Sequence, residues 1–149
     1  YKGEADWALI GDVKNNPRIY IPVFGNGDVS CPQTAKKKKE QYNVDGIMIG
    51  RGAIGNPWVF NKIKQYLKSN QIISDPTIAE KASMALEHLK LSVKWKGEKL
   101  GILEMRRHYS NYFRGLPKIK KYRSQLVEQE NYQSIVSIIE NIREEYSLS

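Results

Sequence analysis

Two glycine-rich turns follow two short apolar stretches of this chain, and together they suit an anion-binding site. The stretch at 21–24 runs into Gly25-Asn26-Gly27-Asp28, and the stretch at 46–49 runs into Gly50-Arg51-Gly52. Bare backbone N–H groups in such turns, next to helix N-termini, are suited to phosphate. Arg51 is the one cation in either turn, and a guanidinium binds two phosphate oxygens at once. The sequence therefore predicts a phosphate site at one edge of a parallel sheet.

The individual turn residues keep alternative roles. Arg51 either binds phosphate or makes a structural ion pair at the rim of the fold. Asn26 and Asp28 either bond to ligand hydroxyls and ring edges or cap their own turn. Gly27 and Gly52 let the backbone approach an anion because no Cβ stands in the way.

The segment 50–55 matches G-x-G-x-x-G, but the residues after it do not suit a dinucleotide-binding fold. That fold needs another strand after the helix, with an acidic residue at its end. Here the helix predicted at about 57–68 leads to Ser74-Asp75-Pro76 and then to further helix. Two strand–glycine turns roughly 25 residues apart instead favour neighbouring βα units of a (β/α)₈ barrel.

The first half of the chain is therefore predicted to be α/β. We predict helices over 6–14, 32–42 and 57–68, and strands over 19–24 and 45–49. A barrel needs eight βα units and about two are found, so we expect the last two or so units of a TIM barrel. A complete small α/β protein is the alternative. We predict that this part spans residues 1–72, ending in the polar segment around Asp75-Pro76.

The second half, 73–149, is predicted to be all-helical. Thr77-x-x-Glu80 is a capping box, and Gly97 and Gly115-Leu116-Pro117 are helix stop signals. Short connections between four amphipathic stripes predict a four-helix bundle. The stripes are Ile78, Ala82, Ala85, Leu89 and Val93; Ile102, Met105, Tyr109 and Tyr112; Ile119, Tyr122 and Leu126; and Ile135, Ile138, Ile139 and Ile142.

The net charge of +8 is confined to one stretch. Residues 86–123 hold eleven Lys and Arg against three Glu, whereas the rest of the chain is balanced. This distribution favours RNA as a partner, with a solvated basic face as the alternative. His108 is interpreted as a polar surface group. The candidate RNA-binding residues are Lys99, Arg106, Arg107, Arg114, Lys118, Lys120, Lys121 and Arg123.

Several classes of protein do not fit this composition. One cysteine excludes an internal disulfide framework and favours a reducing, cytoplasmic setting. Cys31 is interpreted as an ordinary small residue, with a reactive thiol as the alternative. No run of 18 apolar residues is present, so no membrane span is predicted, and no metal site is predicted either.

Motifs along nearly the whole chain resemble the bacterial tRNA-dihydrouridine synthase family. The barrel-like motifs are Ala5-Asp6-Trp7, Ile21-Pro22-Val23, Gly25-Asn26-Gly27-Asp28, Asp45 through Ala53, Gly55-Asn56-Pro57-Trp58 and Phe60. The motifs that resemble the family's helical RNA-binding domain are Lys96-Gly97-Glu98-Lys99, Arg106-Arg107-His108 and Tyr112 through Pro117. The resemblance implies FMN as prosthetic group, NADPH as reductant and a tRNA uridine as substrate. It also implies that Asn26, Gly27, Asp28, Gly50 and Arg51 hold the FMN.

The chain departs from this family in its catalytic residues. The family's general acid is a cysteine in the first half of the barrel, and Cys31 is not in the matching context. We therefore expect no catalytic residue in this chain, and a C-terminal fragment that is inactive by itself. Two alternatives remain: another FMN-dependent barrel oxidoreductase acting on a small molecule, and a non-catalytic RNA-binding module. The uridine position and the oligomeric state are left open.

Overall fold

A computed structural model describes residues 3–147, and the chain in it divides into two compact units, Tyr1–Ser74 and Asp75–Ser149. The division predicted at 72/73 lies two residues earlier. The outermost residues of the predicted ranges, 1–2 and 148–149, lie outside the described part. The fold is mostly helical with a small parallel sheet, which agrees with an α/β unit followed by a helical unit.

The first unit contains three helices, two short strands and one turn of 3₁₀-helix. Its elements in chain order are α1 (Trp7–Asn15), β1 (Phe24–Asn26), α2 (Pro32–Tyr42), β2 (Gly46–Met48), the 3₁₀ turn Arg51–Ala53, and α3 (Trp58–Ser69). The three predicted helices are confirmed to within about one residue at each end. Their 3.6-residue periodicity and flanking Pro and Asn residues were strong local signals.

Strands β1 and β2 pair in parallel, with Phe24 opposite Gly46 and Asn26 opposite Met48. The predicted first strand, 19–24, was wrong in its bounds, because only its last residue belongs to β1. The residues before β1 are open to solvent, since Tyr20 is 90% exposed and Ile21 is 72% exposed. Apolar composition indicates that a segment needs cover, but it does not say where a ladder with a neighbouring strand begins.

Trp7 anchors the small core of the first unit. Its indole is buried and its Nε1 donates a hydrogen bond to the Gly27 carbonyl oxygen at 2.9 Å. A Cβ on Gly25 would lie 2.2 Å from the Trp7 ring, so glycine is needed where the indole crosses β1. The other buried members of this core are Val29, Ala35, Val44, Val59 and Ile63.

The second unit is helical throughout its regular structure. Its helices are α4 (Ile78–Lys96), α5 (Glu98–Tyr112), α6 (Lys120–Glu128) and α7 (Tyr132–Ser147). The predicted capping box is present, because Thr77 Oγ1 accepts from the Glu80 N–H and the Glu80 carboxylate accepts from the Thr77 N–H. Gly97, at φ +78°, separates α4 from α5.

Helix α4 packs against α5 and α7, and α6 packs against α5 and α7. Helices α4 and α5 are close together at Gly101, where a Cβ would lie 2.7 Å from the Val93 Cα. The predicted stripes supply most of the core, although Tyr122 and Ile138 are half-buried and Val93 is partly exposed. The buried apolar residues are Ala82, Ala85, Leu89, Ile102, Met105, Tyr109, Tyr112, Phe113, Ile119, Leu126, Ile135, Ile139 and Ile142.

Among the helices of residues 3–147, none combines the length and the apolar character that a bilayer crossing needs.

Candidate functional site

The carboxyl ends of β1 and β2 meet at one edge of the sheet and bring the two glycine turns together. Asn26 is the last residue of β1 and lies opposite Met48, so the two turns leave the sheet side by side. Arg51 Nη2 donates to Asp28 Oδ1 at 3.1 Å, which joins the turns directly. The structure therefore places the five predicted cofactor residues at one edge, in two turns that contact each other.

The first of these turns has an unusual backbone. Gly27 adopts φ +135° and Asp28 adopts φ +53°, both in the left-handed region. A Cβ on Gly27 would lie 2.2 Å from the Ala5 Cβ. Glycine is therefore required at this position by packing within the unit as well as by its φ angle.

The Asp28 carboxylate organises this edge. Besides the Arg51 guanidinium, it accepts a hydrogen bond from the Ala5 N–H at 2.6 Å. Its side chain is 32% exposed, whereas that of Arg51 is 75% exposed. The ion-pair alternative for Arg51 is thus present in the structure, with most of the guanidinium still open to solvent.

The polar groups at this edge suit a phosphate-bearing, hydroxyl-rich ligand. Arg51 supplies an exposed cation, Asn26 an exposed amide, and Asp28 a carboxylate. A Cβ on Gly50 would meet no heavy atom within 4 Å, so open space lies next to that backbone. Charge, acceptor and open backbone are the features that hold a phosphate and sugar-like hydroxyls.

Cys31 lies near this edge in sequence, directly before α2. Its Sγ lies 3.1 Å from the Thr34 Oγ1, and that hydrogen bond lowers the pKa of the thiol. The thiol is half-buried. Its local partner accounts for the shift, so nothing at this position indicates a catalytic role. No cluster of three or more His, Cys, Asp or Glu within residues 3–147 is arranged to hold a metal.

The eight predicted RNA-binding residues fall on α5, on α6 and on the connection between them. Seven are exposed, and Arg106 is the exception. Its Nη2 donates to the Gln129 carbonyl oxygen at 3.4 Å and lies 4.0 Å from the Glu130 carboxylate. Arg106 thus ties α5 to the connection between α6 and α7. The exposed members are Lys99, Arg107, Arg114, Lys118, Lys120, Lys121 and Arg123.

A cluster of aromatic and imidazole side chains between α4 and α5 was not predicted. The His88 and His108 rings lie edge to face with centroids 4.6 Å apart, and Trp95 is 80% exposed nearby on α4. His108 was expected to be a polar surface group but is half-buried: its Nδ1 is buried, and burial lowers its pKa to about 4. The sequence signal available was the spacing of His88 and Trp95, two helical turns apart.

Comparison with known proteins identifies one family. The family model for dihydrouridine synthases matches residues 1–147. A protein of Rickettsia conorii named "Probable tRNA-dihydrouridine synthase" is 39% identical over 123 residues, which is 83% of this chain. The tRNA-dihydrouridine synthase B of Pseudomonas aeruginosa is 38% identical over 84% of the chain, and that of Shewanella oneidensis is 33% identical over 99%.

The chain spans well under half the length of these relatives. The matched regions cover 37% of the Rickettsia conorii and Pseudomonas aeruginosa proteins and 42% of the Shewanella oneidensis protein. Most of the length of each relative therefore lies outside the region that matches this chain.

Proposed function

This chain belongs to the dihydrouridine synthase family, and we propose that it is the C-terminal part of a tRNA-dihydrouridine synthase. The parent enzyme would reduce a uridine of tRNA to 5,6-dihydrouridine. The observation that carries the proposal is the family match over residues 1–147, which includes both the phosphate-suited sheet edge and the basic helical unit.

We propose that the first unit is part of a TIM barrel. Parallel strands are normally covered on both faces. Here Phe24 of β1 is 64% exposed and Met48 of β2 is 57% exposed, although both are apolar and lie in the sheet. Side chains of this kind suit strands whose cover comes from further βα units. A turn site at the carboxyl ends of the strands also fits the position of phosphate sites in such barrels.

We propose FMN as the cofactor of this edge. Arg51 would hold the phosphate, with the Gly27 and Gly50 backbone beside it. Asn26 and Asp28 would form hydrogen bonds with the hydroxyls or the ring edge of the FMN. The chemistry supplied by flavin at such a site is hydride transfer to the C5–C6 bond of uridine, with NADPH as the reductant. The contribution of these residues is to bind and orient the group.

The chain alone should not catalyse this reaction. It matches 37–42% of the length of the three relatives named above, and the general-acid cysteine implied by the family resemblance lies in the first half of the barrel. Cys31 is not in that context, and its thiol is engaged with Thr34. Incubation with tRNA, FMN and NADPH should therefore give no dihydrouridine by mass spectrometry of the digested RNA. Dihydrouridine formation by these 149 residues would contradict the proposal that the acid lies elsewhere.

We propose that the helical unit is a four-helix bundle and that it binds tRNA through its exposed Lys and Arg side chains. Replacing Arg107, Lys120 and Lys121 by Glu should cut tRNA affinity at least tenfold at low salt. Each lost phosphate contact should also make the slope of log K against log salt shallower by somewhat under one unit. Arg106 is left unchanged because it ties α5 to a neighbouring loop.

A matched triple variant in the first unit separates a binding surface from net charge. Lys37, Lys64 and Lys68 are exposed, and their replacement by Glu changes the net charge by the same amount. Equal losses in both triple variants would show that charge alone attracts the RNA. A parent enzyme that holds flavin but binds no tRNA would favour an oxidoreductase of small molecules, and the reverse result would favour an RNA-binding module.

A further inference from the structure

A cavity of about 380 Å³ opens on the second unit between α4 and α5, outside the residues predicted to hold FMN. Its volume lies in the range of small-ligand pockets, about 300–1,000 Å³. From α4 it is lined by His88, Leu91, Trp95 and Lys96, and from α5 by Arg107 and His108. We call this cavity the Trp95 pocket.

One wall of the Trp95 pocket is an aromatic face in contact with solvent. The Trp95 side chain is 80% exposed, and Leu91, one turn earlier on α4, is 43% exposed. Both lie one or two turns from His88, so they share one face of the helix. Large apolar side chains grouped at a polar opening are typical of binding sites, because their contact with water is unfavourable and a ligand can cover them.

The opposite wall carries hydrogen-bond donors and a cation. Arg107 Nε donates to His108 Nε2 at 3.2 Å, which holds the guanidinium beside the pocket, and a guanidinium has further N–H donors. The Lys96 ammonium is paired with the Glu104 carboxylate, so that pair is close to neutral. Arg107 is therefore the net positive charge of the pocket lining.

The two imidazoles form a packed, neutral back to the pocket. His88 Nδ1 lies 3.1 Å from the Tyr112 hydroxyl, and the His88 ring meets the His108 ring edge to face. Burial lowers the pKa of both imidazoles, and the Arg107 charge lowers them further. The contact with Tyr112 fixes the two imidazoles, and His108 in turn holds the Arg107 guanidinium in place.

We propose that the Trp95 pocket binds an unpaired nucleobase of RNA, with the base stacked on the Trp95 indole and Arg107 bonded to the base edge or its phosphate. A nucleobase offers a flat π-face and a neighbouring negative charge, which match the indole and the guanidinium. The surroundings favour RNA over an apolar peptide, since residues 86–123 carry eleven Lys and Arg against three Glu. The inference rests on the proposed RNA partner and adds a second, base-reading contact to it.

The test compares a single strand with a duplex. The probes are a ten-nucleotide oligouridylate and a ten-base-pair RNA duplex, both measured against the 149-residue chain by fluorescence anisotropy. Trp95→Ala should weaken oligouridylate binding by about fivefold to a hundredfold, the usual effect of losing one base–aromatic stack. Duplex affinity should change less than twofold, because paired bases cannot enter the pocket. Equal losses for both probes would overturn the pocket.

Two further variants control for structure and for exposed aromatic area. Trp95→Phe keeps a ring and should retain most of the affinity, while its far-UV circular dichroism and that of Trp95→Ala should match the parent chain. Tyr20→Ala removes an aromatic side chain that is 90% exposed in the first unit, and it should leave oligouridylate binding unchanged. A loss in Tyr20→Ala equal to that in Trp95→Ala would overturn a specific role for Trp95.

Intrinsic fluorescence separates the failure of this inference from the failure of the RNA partner. Trp95 is far more exposed than Trp7. Oligouridylate should therefore quench the tryptophan emission of the parent chain but not the tryptophan emission of the Trp95→Phe variant. If tRNA binds but neither quenching nor a Trp95→Ala effect appears, the pocket is wrong and the RNA partner stands. If neither tRNA nor oligouridylate binds, both proposals fail.

Discussion

The two units of this chain use their apolar residues differently. In the described part of the first unit, six apolar residues form the buried core, while apolar side chains of both strands stay exposed. In the second unit, thirteen apolar residues are buried, and all four helices contribute to them. Stability should therefore come mainly from helix packing in the second unit, whereas the first unit keeps its polar turns and sheet surface available for further contacts.

Their polar groups differ as well. In the first unit, Lys14 pairs with Asp45 at 2.7 Å and Arg51 pairs with Asp28, both at or near the sheet. Each of these carboxylates also accepts a backbone N–H. The second unit has buried polar atoms on α5 without a hydrogen-bond partner in the described residues, namely Arg106 Nε, His108 Nδ1 and Tyr109 Oη. Burying such groups is unfavourable, so the apolar core of this unit must offset their cost.

The largest effect that tests this comparison is expected from core truncation. Leu89→Ala, at a fully buried position of α4, should lower the free energy of unfolding by about 2–5 kcal/mol. Met48→Ala, in β2 and 57% exposed, should change it by about 0.5 kcal/mol or less. Urea unfolding followed by far-UV circular dichroism measures both. Similar losses in the two variants would show that the exposed sheet surface contributes as much as the helix core.

A smaller effect is expected at the helix crossing. Gly101→Ala places a Cβ 2.7 Å from the Val93 backbone, so α4 and α5 must move apart. Overpacking of this kind costs about 1–3 kcal/mol, and the better helix propensity of Ala returns about 1 kcal/mol of it. We expect a net loss of up to about 2 kcal/mol in urea unfolding. Ser83→Ala, at an exposed position of α4, is the control. Equal changes in the unfolding free energy of the two variants would show that the helix crossing accommodates the added Cβ without strain.

The helices of both units were predictable because their signals are local. Periodic apolar positions, Pro and Gly punctuation and the Thr77–Glu80 box all act within a few residues. Strand β2 was predictable to within one residue at each end. Strand β1 was predictable in kind but not in extent, since it begins where pairing with β2 begins and not where the apolar run begins. The exposure of Ile21 could not be predicted from its apolar neighbours for the same reason, because cover comes from elements far away in sequence.

The candidate site was predictable in position but only partly in its contacts. Two strand–glycine turns at one sheet edge follow from the order of the elements. The choice of Asp28 as partner of Arg51 does not, because it depends on the turn conformation at φ +53°. The packing of His88 on His108 joins residues of two neighbouring helices, α4 and α5, so no local sequence pattern encodes it. Trp95 is exposed although it is apolar, so periodicity alone would not single it out.

A pH effect should distinguish the second unit from the first. His108 has its pKa lowered from 6.5 to about 4, chiefly by burial and then by the charges of His88 and Arg107, with Glu104 opposing. The unfolded chain therefore binds a proton near pH 6.5, whereas the folded chain resists it until about pH 4. The free energy of unfolding should fall as pH is lowered through this window, and this part of the stability is fully present above it.

His108→Gln isolates that contribution. It should make the pH dependence of unfolding shallower between pH 6.5 and 4, measured by urea unfolding at several pH values. Carboxylates such as Asp45 and Glu104, whose pKa values are lowered by Lys14 and Lys96, contribute at the acidic end. Lys14→Met is the control for the first unit, and it should affect mainly that acidic end. An unchanged slope in His108→Gln would mean that folding does not lower the pKa of this imidazole.

The smallest expected change in stability comes from Arg51. Its side chain is 75% exposed, and exposed ion pairs contribute about 0.2–1 kcal/mol or less. Arg51→Ala should therefore lower the unfolding free energy of this chain by no more than that. Asp28→Ala should cost more, because it also removes the acceptor of the Ala5 N–H, which the carboxylate binds at 2.6 Å. Both are measured by urea unfolding at neutral pH.

The same Arg51 variant should have a large effect on binding of the proposed FMN. In a full-length enzyme that contains this chain, losing a charge-assisted phosphate contact should weaken FMN binding about tenfold to a hundredfold, or about 1.5–3 kcal/mol. Flavin absorbance after gel filtration measures retention, and Lys68→Ala, which removes an exposed cation from the end of α3, is the control. Normal flavin content together with a loss of stability as large as that of Asp28→Ala would make Arg51 a structural partner of Asp28. A large loss of flavin at nearly constant stability would mean that the open guanidinium serves a ligand, as the exposure of this edge suggests.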